Sequence, residues 1–286
     1  HTQNPESHLP GRCQSGPAPT RRKHPIHNAP CDLRGNVAPV TGGNGGIRLG
    51  MAEAKARAGA NLAIWGTHAD KNAAAKARLD GLGIEAEAFQ CNVADEADVD
   101  RNMQATLDRF GRLDGCFANA GVTGRGAKSF LDITAEEWRR VLSVNLDGTF
   151  FTFKAALRHM VSRAEKGEPG GRLVAVSSLA SVSGPARNEH YAASKGALNA
   201  MTFALAVEFA RYQITANAIL PGWIETEMTG NLFSNEKFAQ AAGKRIPMRR
   251  WGKPEDFGGL AVYLMSDASA YHTGQLLQVD GGYFRF

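Results

Sequence analysis

From residue 37 onward, short apolar runs alternate with longer stretches whose apolar residues recur every three or four positions. The runs VAPVTGG, NLAIW (61–65), EAEAFQCNV (85–93), LDGCFANAG (113–121), GRLVAVSS, ITANAILP (214–221) and GQLLQVDGG (274–282) predict strands, the most evenly apolar of them buried on both faces of a sheet. Between them lie helical stretches: the alanine-rich 47–59, a segment around AAAKARL, residues 95–110, the region 134–163 (one long helix or two in series), the stretch carrying Tyr191 and Lys195, and 254–266. Strand and helix in regular alternation predict a parallel sheet covered on both faces, with right-handed crossovers. A mobile-looking segment of about 30 residues follows Pro221. No internal repeat and no second change of composition interrupts the pattern, so one α/β domain is expected over 37–286.

Residues 1–36 stand apart. They are rich in Pro, His, Gly and Ser and have neither period 2 nor period 3.6, which reads as a leader that is disordered or was added for expression. They also hold much of the basic charge. The whole chain carries +5, and Arg12, Arg21, Arg22, Lys23 and Arg34 against Glu6 and Asp32 give this segment 5 − 2 = +3. The +2 left on the other residues is no footprint for nucleic acid or an anionic membrane. Cys13, Cys31, Cys91 and Cys116 are too scattered for a disulfide framework or a zinc site, so no metal is expected. With no continuous hydrophobic signal core and no apolar run of membrane-spanning length, a cytoplasmic location is the default.

The candidate chemistry sits at the carboxyl ends of the predicted strands, where open parallel sheets bind ligands. The turn Thr41-Gly-Gly-Asn-Gly-Gly-Ile47 leaves the first strand and opens a helix, the context of a dinucleotide site. Asn119, Ser178 and Pro221 lie at other strand ends. Tyr191 and Lys195 are spaced i, i+4, so a helix puts both on one face. A free phenol, with a pKa of about 10, is a poor acid or base at neutral pH; a nearby ammonium favours the phenolate and makes it a better one. A serine hydroxyl at 178 is placed to hydrogen-bond a substrate oxygen.

Over nearly all of 36–286 the chain resembles the short-chain dehydrogenase/reductase family. The motifs are Thr41-Gly42-x-x-x-Gly46, Asn119-Ala120-Gly121, Asn145, Ser178 thirteen residues before Tyr191, Lys195, Pro221-Gly222 with Thr226, and Asp280-Gly281-Gly282. The resemblance implies a Rossmann-like doubly wound sheet and hydride transfer between a nicotinamide cofactor and a secondary alcohol or ketone. It makes Tyr191 the proton donor and acceptor, Lys195 the group that lowers its pKa and holds the nicotinamide ribose, and Ser178 the group that polarises the substrate oxygen. Asn145 would hold a water that links Lys195 to solvent. The cofactor would be held by Thr41, Gly42, Asn44, Gly46 and Ile47 at the turn, by Gly66, Thr67 and His68 after the second strand, and by Asn92, Val93, Asn119, Ala120 and Gly121. Pro221, Gly222, Ile224 and Thr226 would cover the nicotinamide. Many relatives are homotetramers.

Gly66 stands where NAD-specific members carry an acid for the ribose 2′-hydroxyl, which favours NADP(H) over NAD(H). Substrate choice would come from 179–190, from Val122 onward and from 223–250, where Trp223 and Met228 are candidate pocket walls and Lys244, Arg245, Arg249 and Arg250 form a basic run. Three residues depart from the family pattern. Arg48 replaces a glycine, Asn92 an aspartate, and Pro39 sits in a strand that should be central and cannot use a full ladder there. Arg48 and Pro39 favour a non-catalytic dinucleotide-binding protein; Asn145, Ser178, Tyr191 and Lys195 together favour an enzyme more strongly.

Overall fold

The structure is a computed structural model and describes residues 31–230 and 236–285. Seven parallel strands form one sheet in the order β3-β2-β1-β4-β5-β6-β7. In chain order the elements are β1 (Val37–Thr41), α1 (Gly46–Arg57), β2 (Asn61–Gly66), α2 (Ala69–Asp80), β3 (Ala86–Gln90), α3 (Glu96–Phe110), β4 (Gly115–Ala118), α4 (Ala135–Leu142), α5 (Gly148–Glu165) and β5 (Gly171–Val176). The short α6 (Ala180–Ser183), α7 (Glu189–Phe209), β6 (Ile214–Pro221), α8 (Glu236–Arg245), α9 (Gly258–Met265) and β7 (Leu276–Val279) complete it. The order reverses between β1 and β4, and this switch point opens the crevice that holds the site.

Two apolar cores flank the sheet. On one face α3, α5 and α7 cover Trp65, Cys116, Ala118, Leu173 and Ala175. On the other, α1, α2 and α9 cover Ala38, Val40, Ile64, Phe117, Val174 and Ile219. Neighbouring residues of one strand face opposite cores, which is why these strands read as continuous apolar runs rather than as alternating ones.

Residues 31–36 belong to the domain rather than to a leader. Leu33 is fully buried in the second core, and its N–H donates to the Ala58 carbonyl at 2.8 Å. The expectation for residues 1–30 lies outside the described residues. Within the segment after Pro221, α8 is a ten-residue helix that the sequence pattern did not suggest.

Pro39 does occupy a central strand, and its cost is visible. The N–H groups of Ala38, Val40 and Gly42 point towards β2, as the Gly42 bond to the Trp65 carbonyl shows, so those of alternate residues point towards β4. Pro39 has no N–H to offer on that side. The β1–β2 ladder runs over five register pairs, whereas β1–β4 keeps only Val40–Phe117. Asp114 partly compensates at the edge of the gap, its carboxylate accepting from the Val37 N–H at 3.0 Å.

Candidate active site

A cavity of about 430 Å³ opens at the carboxyl ends of the strands. Gly42, Asn44, Gly46 and Ile47 enter it from the turn after β1; Gly66, Thr67 and His68 from the end of β2; Asn92 and Val93 from beyond β3. Asn119, Ala120 and Gly121 follow β4, Ser178 follows β5, Tyr191 and Lys195 come from α7, and Pro221, Gly222, Ile224 and Thr226 close the side at β6. Segments distant in sequence thus meet because each leaves the same edge of one sheet.

Three of the expected site residues do not line it. Thr41 is buried, and its hydroxyl accepts from the N–H groups of Asn119 and Ala120 at 2.8 and 2.9 Å, so it ties β4 to β1 rather than facing a ligand. Asn145 lies in a π-helical turn, Ser143–Asp147, that joins α4 to α5. Its side chain accepts from the Val122 N–H (2.8 Å) and donates to the Val122 carbonyl (3.0 Å) and to Ser194 Oγ (3.0 Å). That fixes the loop after β4 against α7 and leaves no amide donor for a water. Trp223 packs against Trp251 and Tyr283, at ring separations of 5.5 and 6.2 Å, in a small aromatic core, which its large apolar surface favours over a polar crevice. The side chain of Met228 lies outside the described residues.

Ser178 Oγ accepts from the Ala180 N–H at 3.1 Å, and Ser178 and Tyr191 line the same crevice. Lys195 Nζ lies 5.7 Å from the Tyr191 ring centroid and donates to the Val176 carbonyl at 2.7 Å. Ser177, which the sequence reading missed, anchors this arrangement by donating to the Lys195 carbonyl at 2.9 Å. Burial pushes the Tyr191 phenol above its ordinary range, against the Ser178 hydroxyl and the Arg48 cation, which pull it down. Burial and Arg48 bring Lys195 down to about 7. The expected lowering of the phenol by Lys195 is therefore corrected: the cation acting on Tyr191 is Arg48, and burial outweighs it.

At the β2 end, the space beside the Gly66 Cα is filled by the amides of Asn44 and Asn72. Asn44 donates to Asn72 at 2.8 Å, and Asn72 donates to the Gly66 and Phe89 carbonyls. A carboxylate at 66 has no room. Lys71 and Glu227, both in the cavity lining and neither anticipated, form an exposed ion pair of 2.7 Å across its mouth. Lys71 was legible in principle, as a cation in the first turn of the helix that follows the strand end.

Two observations fit this crevice to a dinucleotide. The N-terminus of α1 has no side-chain cap and no acid in its first turn, so its N–H groups and positive dipole end face the cavity. The Asn119 amide is buried with neither its nitrogen nor its oxygen hydrogen-bonded, a demand that a sugar hydroxyl would satisfy.

A family model described as enoyl-(acyl carrier protein) reductase matches residues 42–284. The chain is 35% identical over 250 residues to a 3-oxoacyl-[acyl-carrier-protein] reductase of Chlamydia pneumoniae, covering 87% of this chain and 97% of the relative. It is equally 35% identical to the 5-keto-D-gluconate 5-reductase of Escherichia coli K12, with 87% and 96% covered. The crystal structure of a gluconate 5-dehydrogenase from Burkholderia cenocepacia in complex with NADP and tartrate superposes with a TM-score of 0.84 at 33% identity, covering 90% of this chain and 98% of that one. By its sequence, its sheet order and these relatives, the chain belongs to the short-chain dehydrogenase/reductase family of oxidoreductases.

Proposed function

We propose that the chain moves a hydride between NADP(H) and a secondary alcohol or ketone, with Tyr191 as the general acid and base. The observation that carries this reading is the meeting of Ser178, Tyr191 and Lys195 in one cavity with the uncapped start of α1. When bound, the nicotinamide supplies or takes the hydride. Ser178 and Tyr191 hold the substrate oxygen between two hydroxyls; Tyr191 gives that oxygen a proton in reduction and takes one in oxidation. Lys195 holds the ribose. The three side chains that meet there, Ser178, Tyr191 and Lys195, speak against a protein that only retains dinucleotide.

The preference for NADP(H) rests on Gly66, whose filled flank admits no carboxylate, and on Thr67, His68 and Lys71 beside it. We expect kcat/KM to be higher with NADPH than with NADH in steady-state assays. Lys71→Ala should lower the NADPH value about tenfold, the worth of one charge-assisted hydrogen bond, and leave NADH within about threefold. A wild-type preference for NADH would overturn the assignment.

The substrate is a small carbonyl compound or alcohol. The basic run does not argue for an acyl carrier: Arg250 is paired with Asp256 at 2.6 Å, Arg249 donates to the Lys244 carbonyl, and Arg245 stacks on Tyr283. A ketone panel should therefore hold keto sugar acids as well as 3-oxoacyl thioesters. We further infer a cytoplasmic homotetramer. Exposed Phe150 on α5, with Phe203 and Val207 on α7, offers an apolar face for self-association. Light scattering should give about four times the 30.6 kDa of one chain; a monomer at micromolar concentration would count against it.

A further inference from the structure

Arg48 stands in the third position of α1, where the family pattern has glycine, and its guanidinium lies across the face of Gly42. A Cβ on Gly42 would sit 2.5 Å from Arg48 Nη1 and 3.0 Å from its Cδ. The side chain lines the cavity beside the free N–H groups of the turn. No hydrogen bond or ion pair to Arg48 occurs among the described residues. The carboxylate whose charge it feels, Glu227, is already paired with Lys71. A half-buried guanidinium with five unused donors is costly, and a group that completes those bonds would bind strongly.

The charge of the cavity says what that group is. Arg48, Lys71 and Lys195 line it against a single carboxylate, Glu227, and the dipole end of α1 adds to the positive side. The arrangement complements a ligand with at least two negative charges at the glycine turn. A guanidinium fork matches a pair of phosphate oxygens better than an ammonium would.

We propose that Arg48 is a ligand of the cofactor diphosphate, lifting from Gly42 to donate to the phosphate oxygens rather than obstructing them. The inference rests on the dinucleotide reading above and adds to it a binding residue that the family pattern lacks. Because the diphosphate is common to both nicotinamide cofactors, Arg48 supports affinity for each alike and takes no part in choosing between them.

The test is calorimetric titration of wild type, Arg48→Met, Arg48→Lys and Arg48→Gly with NADPH, NADH, ADP-ribose and adenosine 2′-monophosphate, with circular dichroism melts to establish folding. Arg48→Met should weaken NADPH, NADH and ADP-ribose each by ten- to a hundredfold and leave adenosine 2′-monophosphate, which has no diphosphate, unchanged. Arg48→Lys should recover part of the loss, and the dependence of NADPH affinity on salt should be shallower in Arg48→Met than in wild type. Equal or tighter binding of NADPH by Arg48→Gly would overturn the proposal. If wild type bound no dinucleotide while Arg48→Gly did, the side chain would be an obstruction and the dinucleotide reading would survive. Binding by neither protein would remove both.

Discussion

Tyr191→Phe should reduce turnover of a ketone with NADPH by about three orders of magnitude while the dissociation constant of NADPH changes less than about threefold. The substitution removes one oxygen from a half-buried ring and keeps its volume, so folding should tolerate it. What disappears is the phenol that shares the crevice with Ser178, and with it the proton that the substrate oxygen needs. Ser178→Ala should cost less, about a hundredfold, since it removes a hydrogen bond and leaves the proton donor in place. The direction of the Tyr191 shift adds a second readout. A phenol held above its ordinary range is protonated through the neutral region, ready to act as an acid in reduction. Alcohol oxidation needs the phenolate and should accelerate steadily from about pH 7 to 10 in wild type. Turnover by Tyr191→Phe within about tenfold of wild type, or oxidation that slows with rising pH, would exclude Tyr191 from the role.

The parts of this molecule that could be read from sequence are those set by local periodicity. The β6 run ITANAILP coincides with the strand residue for residue, and the four strand ends do deliver Asn119, Ser178, Pro221 and the glycine turn to one crevice. What could not be read depends on which way a side chain turns. Asn145 sits in a π-helical turn that no pattern marks, and its amide is consumed by Val122 and Ser194. Trp223 lies between Gly222 and Ile224, which both line the crevice, yet turns towards Trp251 and Tyr283. Leu33 lies in a polar stretch with no period, and only the fold reveals its burial. Arg48 was visible as a departure, but its position over Gly42, and hence its field at Tyr191 and Lys195, required coordinates.

Lys55→Met should stabilise the folded chain by about 2–4 kcal/mol at pH 7. In an alanine-rich helix a lysine reads as solvent-facing, yet Lys55 is 0% exposed in the core between α1 and the sheet. Its Nζ has no hydrogen-bond partner and lies 3.2 Å from the centroid of the Phe117 ring. A desolvated cation over a ring gains about 2 kcal/mol, whereas burying an ammonium costs several. The group whose charge would favour the ammonium, Cys116, is itself pushed up to about 12 by burial and stays a thiol at neutral pH. Burial accordingly holds Lys55 well below its ordinary 10.5. Between the folded and unfolded values the unfolded chain carries that proton and the folded chain does not, so wild-type stability rises with pH across that window, by at most about 1.4 kcal/mol per unit. Methionine fills a similar volume with no proton to lose. Urea melts of both proteins at about pH 7 and pH 9.5 test this, because shifts at Lys195 and the cysteines are common to the pair and cancel. The advantage of Lys55→Met should be largest at the lower pH and shrink towards the higher; equal stabilities at neutral pH, or a gap that widens with pH, would mean that the ammonium finds water or a partner in solution.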